Sequence, residues 1–163
     1  MENIPNTLYT NNSSLTPSEF FAEYDNALNI NELNNSKKCY TCKPRGTLKE
    51  HIISNTPNFT FNHDMFRRPL IIITSNQHYH TLYDMPDHVK LNLFNDIHLF
   101  VEFWNLNKNY QLMINNGDSQ THHHFHVKMK INAEIANRMR RDHFTRINLE
   151  KSYNSNSQIL TFK

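Results

Sequence analysis

The sequence predicts an α+β domain in which an antiparallel sheet of about five strands packs against one long helix. Short runs of β-branched and aromatic residues, separated by turn residues, are typical of strands. Residues 84–105 instead repeat apolar side chains at the spacing of an amphipathic helix. The chain has 163 residues, which is enough for one domain with a substantial core.

The first part of the chain differs in composition from the rest. Residues 1–16 are rich in Asn, Ser and Thr, which is typical of poorly ordered segments. A Thr-Pro-Ser-Glu sequence then favours the start of a helix over residues 17–29. We therefore predict a polar N-terminal extension with one short helix at residues 1–35 and a single domain at residues 36–163.

Five later segments have the composition of strands. They are residues 59–61, 69–74, 110–114, 122–129 and 158–162. An Asn-Asn-Gly turn separates the third segment from the fourth and favours a hairpin. The long helix is predicted to start near Asp84 and Pro86, and a second helix is predicted over residues 132–143.

The composition limits the classes of partner. The formal net charge is +2, so bulk electrostatics does not indicate nucleic acid. The longest apolar run, residues 70–73, is far too short to span a membrane, so no membrane partner is expected. Nothing near the N-terminus resembles a secretory or transit segment, which predicts a cytoplasmic protein.

Three alternating histidines form the most informative motif of the chain. In a strand, His122, His124 and His126 would share one face, while Phe125 and Val127 would point into a core. Neutral imidazoles bind metal ions and act as nucleophiles near pH 7. The motif therefore indicates either a phosphate-transfer site or a metal site formed by the histidines themselves.

The chain has two cysteines, Cys39 and Cys42, with two residues between them. Without a signal peptide, this spacing indicates metal binding or redox use in a reducing compartment. Two ordinary reduced thiols are the alternative.

Together these motifs resemble the histidine-triad nucleotide-binding family over roughly residues 39–130. The family's three alternating histidines follow an Asn-x-Gly-type turn, and here an Asn-Gly pair ending at residue 117 precedes the first histidine. Residues 70–78 and 82–85 are similar to the family's strand, turn, histidine and Leu-x-Asp-Leu helix start. Residues 39–43 are similar to the Cys-x-x-Cys-Lys opening of its zinc-carrying branch.

The resemblance implies a HIT-like nucleotide hydrolase or nucleotidyl transferase. The middle histidine, His124, would attack the α-phosphate and form a nucleotidyl-histidine intermediate, while His126 would donate to a phosphate oxygen and His122 would complete the triad. Dinucleoside polyphosphates, nucleoside phosphoramidates and 5′-adenylated ends are the implied substrates. Three side chains upstream would add hydrogen bonds to the phosphate, namely Asn116, Ser119 and Gln120.

The resemblance also implies a structural zinc ion and a homodimer in which two sheets join edge to edge. A closed set of two cysteines and two histidines is typical of structural zinc. The ligands carried over from the family are Cys39, Cys42, His78 and His122. The spacing also allows His80, His51 or His63 as the ligand histidine.

Two positions depart from the family pattern. Only four residues separate Gly117 from His122, where the family's common branches have a longer, glycine-containing phosphate loop, so the phosphate must be bound differently. Lys128 is the second residue after the third histidine, a position where the family prefers an apolar residue. A zinc-stabilised nucleotide-binding module without turnover is therefore the alternative function.

Two groups of arginines are expected to be solvated. Arg67 and Arg68 precede the central strand, with contact to a polyphosphate as their alternative role. Arg138, Arg140 and Arg141 lie on the second predicted helix, and a basic patch for a capped or adenylated nucleic acid is their alternative role.

Overall fold

The computed structural model describes residues 39–42, 50–106, 109–120 and 122–160. The predicted N-terminal helix over residues 17–29 lies outside these ranges. The elements that the described residues form are, in chain order, β1 (Ile52–Asn55), β2 (Phe59–His63), β3 (Leu70–Ser75), α1 (Asp87–Phe103), β4 (Tyr110–Ile114), β5 (His126–Ile131) and α2 (Ala133–Leu160). The predicted α+β class, with about five strands and one long packed helix, is confirmed.

The five strands form one sheet in the order β1-β2-β3-β5-β4, and all neighbouring strands are antiparallel. The predicted hairpin is the β4–β5 pair. The central strand β3 pairs Thr74 with His126 and Ile72 with Lys128. Because side chains alternate along a strand, these four side chains lie on one face of the sheet, and the residues between them lie on the other.

The second face of the sheet packs against α1 and carries the core. Phe125, Val127 and Met129 are fully buried there, as the alternation predicts. Phe61 of β2 stacks on Phe100 of α1 with ring centroids 4.5 Å apart. Burying an apolar side chain of this size contributes about 1.5–3 kcal/mol, so this face contributes substantially to the stability of the fold.

The apolar stripe predicted for α1 faces this core. Its buried members are Val89, Leu93, Ile97, Phe100 and Val101. Leu91 and Phe94 of the same helix are exposed. Within the residues that the structure describes, no helix combines the length and apolarity needed to cross a bilayer.

Two segments differ from the prediction. The predicted strand over residues 158–162 is wrong where the structure describes it, because α2 continues to Leu160. No Pro or Gly occurs between Ala133 and Leu160 to end the helix. The strand β1 was not predicted, because it contains only two apolar residues and gains its partners from β2.

The start of β5 also differs from the prediction. The strand begins at His126, so His122 and His124 lie in a bent segment before it. There the N–H of Phe125 donates to the carbonyl of Tyr79 at 2.6 Å, outside the ladder between β3 and β5. The three histidines therefore do not form one regular stripe.

The β2–β3 connection is held from two sides. The buried carboxylate of Asp64 accepts hydrogen bonds from the backbone N–H groups of Phe66 and Arg68 and forms an ion pair with the Arg68 guanidinium at 2.7 Å. From α2, Arg140 donates to the carbonyls of Asp64 and Arg68 at 3.5 and 3.3 Å. Arg140 is half-buried rather than solvated, whereas Arg138 and Arg141 are exposed as predicted.

Three buried histidines lie where α2 meets β1 and β2. His63 Nε2 is 3.2 Å from His143 Nδ1, and His51 is buried beside them. Burial lowers the pKa of His63 to about 3, with further lowering by the positive charges of His143, Arg140 and His51. Burial also lowers the pKa values of His51 and His143.

This cluster predicts a loss of stability in acid. An unfolded histidine has a pKa of about 6.5, so the unfolded chain takes up a proton that folded His63 does not. The stabilisation is fully present above about pH 6.5 and is lost as the pH falls towards 3. Urea unfolding in EDTA, which removes the metal contribution, should show that His63→Gln reduces the fall in unfolding free energy between pH 7.5 and 4.5 by roughly 2–3 kcal/mol.

The matched control is His88→Gln, because His88 is exposed on α1. It should leave the pH dependence of the wild-type protein unchanged. His143→Gln provides a second test if His63→Gln does not fold. The prediction would be contradicted if the unfolding free energy changed with pH equally in the wild type, His63→Gln and His143→Gln.

Candidate functional site

Two cysteines and two histidines converge beside the end of β3. Cys39, Cys42, His78 and His124 each offer one ligand atom, and all four atoms lie within 4.8 Å of one another. His124 Nδ1 is 3.3 Å from Cys39 Sγ, 3.4 Å from Cys42 Sγ and 3.3 Å from His78 Nδ1. Cys42 Sγ is 3.3 Å from His78 Nδ1.

These distances match the edges of a tetrahedral metal site. With metal–ligand bonds of 2.0–2.3 Å, nitrogen and sulfur ligands of one ion lie about 3.3–3.8 Å apart. A hydrogen bond from Cys42, followed by contacts with His122, His124 and His78, lowers the pKa of the Cys39 thiol and favours the thiolate that binds metal. The same contact raises the pKa of Cys42, because its thiol supplies the hydrogen bond.

The orientation of His124 also fits a metal ligand. Its Nε2 lies 2.7 Å from the Ser75 carbonyl, which can only accept, so Nε2 carries the proton. Nδ1 is therefore the unprotonated nitrogen, and it points at the two sulfur atoms. A backbone carbonyl that orients a ligand histidine in this way is common in metal sites. Three of the four predicted ligands are thus brought together, with His124 in place of His122.

His122 lies beside the cluster rather than in it. Its Nε2 is 2.9 Å from Thr41 Oγ1 and 3.8 Å from Cys39 Sγ. The other candidate ligands lie elsewhere. His51 and His63 belong to the group of buried histidines that packs against α2. His80 pairs with His123, with ring nitrogens 3.0 Å apart.

His126 adopts a different orientation from His124. Its Nδ1 lies 2.9 Å from the His124 carbonyl, so Nδ1 carries the proton and donates to that oxygen. Among the described residues, Nε2 of His126 has no hydrogen-bond partner. Burial lowers the pKa of His126 to about 4, which keeps the ring neutral at pH 7. The neutral ring therefore has its lone pair on Nε2.

A cavity of about 280 Å³ opens beside His126, on the face of the sheet opposite the core. Its floor is formed by side chains of β1, β2, β3 and β5, its roof by residues 40–42, and one end by the β2–β3 connection. Apolar and aromatic side chains supply much of the lining, with a few hydroxyl and amide groups between them. The residues that line the cavity include Tyr40, Ile52, Asn62, Asp64, Met65, Phe66, Arg68, Ile72, Thr74, His126 and Lys128.

The three predicted phosphate-binding side chains do not line this cavity. Asn116 Oδ1 accepts from the N–H of Leu82 at 3.2 Å. Gln120 Nε2 donates to the carbonyl of His80 at 2.8 Å, and its Oε1 accepts from the N–H of Gly117. Ser119 is exposed in the short 3₁₀ turn after Asn116. Their contact with phosphate stays a prediction.

Sequence reasoning did not predict that Asp64 and Met65 of the β2–β3 connection line a cavity together with Lys128. The length of the loop before the histidines indicates which histidine is the first of the three alternating positions. Only four residues separate Gly117 from His122, but six separate it from His124. Counting three alternating positions from His124 instead of His122 places His126 second and Lys128 third.

Several solved histidine-triad proteins are similar in structure to this chain. A HIT family hydrolase from Legionella pneumophila Philadelphia 1 is 20% identical, with a TM-score of 0.46 over 56% of this chain and 90% of that one. A histidine triad nucleotide-binding protein from Candida albicans is 19% identical, with a TM-score of 0.48 over 58% and 76%. A histidine triad protein from Clostridium difficile is 18% identical, with a TM-score of 0.46 over 58% and 90%.

No family model and no curated protein matches the sequence.

The geometry predicts which substitutions remove a bound metal ion. Cys42→Ser and His124→Ala each remove a ligand of the tetrahedral set and should lose the ion, while His122→Ala should retain it. Metal content per chain, measured by inductively coupled plasma mass spectrometry after purification without chelators, checks this. If His122→Ala lost the metal and His124→Ala retained it, the result would support the ligand set predicted from the sequence, with His122 as the fourth ligand.

Proposed function

We propose that the protein is a nucleotide-binding hydrolase or nucleotidyl transferase that acts at an α-phosphate, with His126 as the nucleophile. The observation that supports this most is the hydrogen bond from His126 Nδ1 to the His124 carbonyl. It leaves Nε2 as the nitrogen available to the cavity that His126 lines. A neutral imidazole held in one tautomer beside a ligand-sized cavity is suited to nucleophilic attack.

His124 is less suited to the role that the sequence suggested for it. Its side chain is fully buried, and it does not line the cavity. One ring nitrogen donates to Ser75, and the other faces the cysteine sulfurs. Neither ring nitrogen of His124 is therefore free to attack a phosphorus atom while the four ligands hold a metal ion.

The reaction has two displacement steps. In the first, the Nε2 lone pair of His126 bonds to the α-phosphorus, and the bond from phosphorus to the leaving group breaks. The leaving group departs with that electron pair and takes a proton from solvent. In the second, a water oxygen bonds to phosphorus, the phosphorus–nitrogen bond breaks with its electrons returning to Nε2, and the water proton passes to solvent. Attack by an acceptor hydroxyl instead of water makes the protein a transferase.

The lining of the cavity supports a nucleoside as the bound group. Its volume lies just below the roughly 300 Å³ at which ligand pockets begin. Tyr40, Ile52, Phe66 and Ile72 offer the apolar and aromatic contact that a base requires. Asn62 lies on the same floor but is committed to the carbonyls of Thr60 and Ile72, which are 3.3 and 3.2 Å from its Nδ2. The candidate substrates are dinucleoside polyphosphates, nucleoside phosphoramidates and 5′-adenylated ends.

We propose zinc as the metal and a structural role for it. Two cysteines and two histidines with no open position are the usual structural zinc set. The ion would hold residues 39–42, which form the roof of the cavity, against His78 and His124. It would also fix His124, whose carbonyl sets the tautomer of His126.

The nucleophile is tested with nucleoside 5′-phosphoramidates of all four bases and with diadenosine polyphosphates. His126→Ala should reduce monophosphate release on the order of 10³-fold or more, because the covalent step is lost. Its affinity for the monophosphate product should change little. Wild-type protein denatured at alkaline pH, where the phosphorus–nitrogen bond survives, should carry a nucleotidyl group on the peptide that contains His126, detected by mass spectrometry.

His88→Ala is the matched control, because His88 is exposed on α1. It should release monophosphate at the wild-type rate. A nucleotidyl group on another residue, or undiminished turnover by His126→Ala, would show that His126 is not the nucleophile.

A nucleotide-binding module without turnover is the second candidate. It is favoured by the placement of Asn116, Ser119 and Gln120, none of which lines the cavity to bind a phosphate. Saturable nucleotide binding without release of monophosphate or a covalent adduct, on any substrate of the panel, would support it.

We also propose that the protein forms a homodimer through the outer edge of β4. Among the described strands, β4 pairs only with β5 and is an edge of the sheet. Leu112 and Met113 of this strand are exposed apolar residues, and α1 also exposes Phe94 and Phe103. An open strand edge flanked by apolar side chains suits a two-fold contact with a second copy.

Leu112→Lys should convert the dimer to a monomer, because it places a charge in the proposed strand contact. Sedimentation velocity measures this directly. Leu149→Lys is the matched control, because Leu149 is exposed on α2 and far from β4 in the sequence. A monomeric wild-type protein would exclude the homodimer, and a dimeric Leu112→Lys protein would place the contact elsewhere.

A further inference from the structure

Lys128 places a positive charge in the wall of the cavity. It follows His126 by two residues in β5, so both side chains lie on the face opposite the core. Both line the cavity, and Lys128 is half-buried. Among the described residues, the Lys128 ammonium has no hydrogen bond or ion pair. Partial burial of an unpaired ammonium is unfavourable, so this position is suited to an anionic ligand.

The neighbouring carboxylate does not neutralise Lys128. Asp64 Oδ1 forms the 2.7 Å ion pair with Arg68, and Oδ2 accepts from Arg68 Nε and from the N–H groups of Phe66 and Arg68. Both oxygens of this buried carboxylate are therefore engaged within the β2–β3 connection. This end of the cavity holds two cations and one anion, which leaves one uncompensated positive charge.

The spacing along β5 lets Lys128 and His126 act on one phosphate. Side chains two residues apart in a strand are separated by about 6.6 Å along the strand axis. The lysine side chain has four methylene groups joined by rotatable bonds, and it can span much of that separation. A phosphate attached to His126 Nε2 is therefore within reach of the Lys128 ammonium.

We propose that Lys128 binds a non-bridging oxygen of the α-phosphate and stabilises the negative charge on it during transfer to His126. This deepens the proposed function and rests on it, because it assigns the phosphate contact of the same site. The ammonium acts as a fixed charge and keeps its proton through both steps. The phosphate contact then comes from a side chain on the floor of the sheet, whereas Asn116, Ser119 and Gln120 do not line the cavity.

The first experiment measures equilibrium binding and needs no turnover. Lys128→Met should weaken binding of nucleoside 5′-monophosphates about 10-fold or more, because a charge-assisted hydrogen bond is lost. It should leave the affinity for the corresponding uncharged nucleosides unchanged. Isothermal titration calorimetry with adenosine, guanosine and their monophosphates makes the comparison.

The second experiment measures catalysis with paired substrates. The probes are the nucleoside phosphoramidate with the best base and its separated Rp and Sp phosphorothioate forms. Lys128→Met should reduce kcat by about 10²-fold, as loss of one transition-state donor does. Sulfur in place of the oxygen bound by Lys128 should slow the wild-type enzyme by a larger factor than it slows the Lys128→Met enzyme. Lys128→Arg should recover part of the rate.

Lys130→Met is the matched control, because Lys130 is the next residue on the same side of β5 and is exposed. It should behave as the wild type in both experiments. Equal loss of nucleoside and monophosphate affinity in Lys128→Met would show a packing role and overturn the proposal. Unchanged kcat with an unchanged phosphorothioate effect would also overturn it.

The outcomes separate this proposal from the proposed function. If the wild type forms no adduct and releases no monophosphate, the transferase chemistry fails. The selective loss of monophosphate affinity in Lys128→Met would still identify the phosphate site. If the adduct forms on His126 at the wild-type rate in Lys128→Met, the chemistry stands and the assignment of Lys128 fails.

Discussion

The hydrogen bond from His126 Nδ1 to the carbonyl of His124 connects the two halves of the site. The carbonyl can only accept, so the bond fixes the proton on Nδ1 and the lone pair on Nε2. The position of that carbonyl depends on the His124 ring, which is held between the Ser75 carbonyl and the cysteine sulfurs. One residue therefore connects the geometry of the four clustered cysteines and histidines to the ring that faces the cavity. This explains how a metal set with no open position would still influence chemistry beside it.

The sequence predicted the elements whose signal is local and periodic. Alternation placed Phe125 and Val127 in the core, and helical spacing located α1 to within three residues at each end. Periodicity says which face a histidine occupies, but it does not say which of its nitrogens is engaged. The roles proposed for His124 and His126 depend on contacts of the His124 ring with Ser75 and Cys39, which are distant in sequence. Those contacts required the tertiary structure.

The errors in the prediction have related physical causes. Strand β1 has few apolar residues and exists because β2 supplies its hydrogen-bond partners. Helix α2 has few apolar residues for its length, and it packs against the core through Ala136 and Met139. Arg140 appeared solvated by its helical position, yet the β2–β3 connection folds over it. In each case a long-range contact outweighs the local preference.

The cavity exists because residues 39–42 cover a face of the sheet that would otherwise be solvated. Thr60, Asn62 and Thr74 are typical of a strand face exposed to water, and alone they would form a flat polar surface. Tyr40 and Cys42 close over this surface, and Cys42 is also one of the four clustered metal-binding residues. A metal ion would replace the apolar packing that four residues cannot supply by themselves. The same four residues would therefore enclose the ligand and hold His124 in the position that directs His126 towards it.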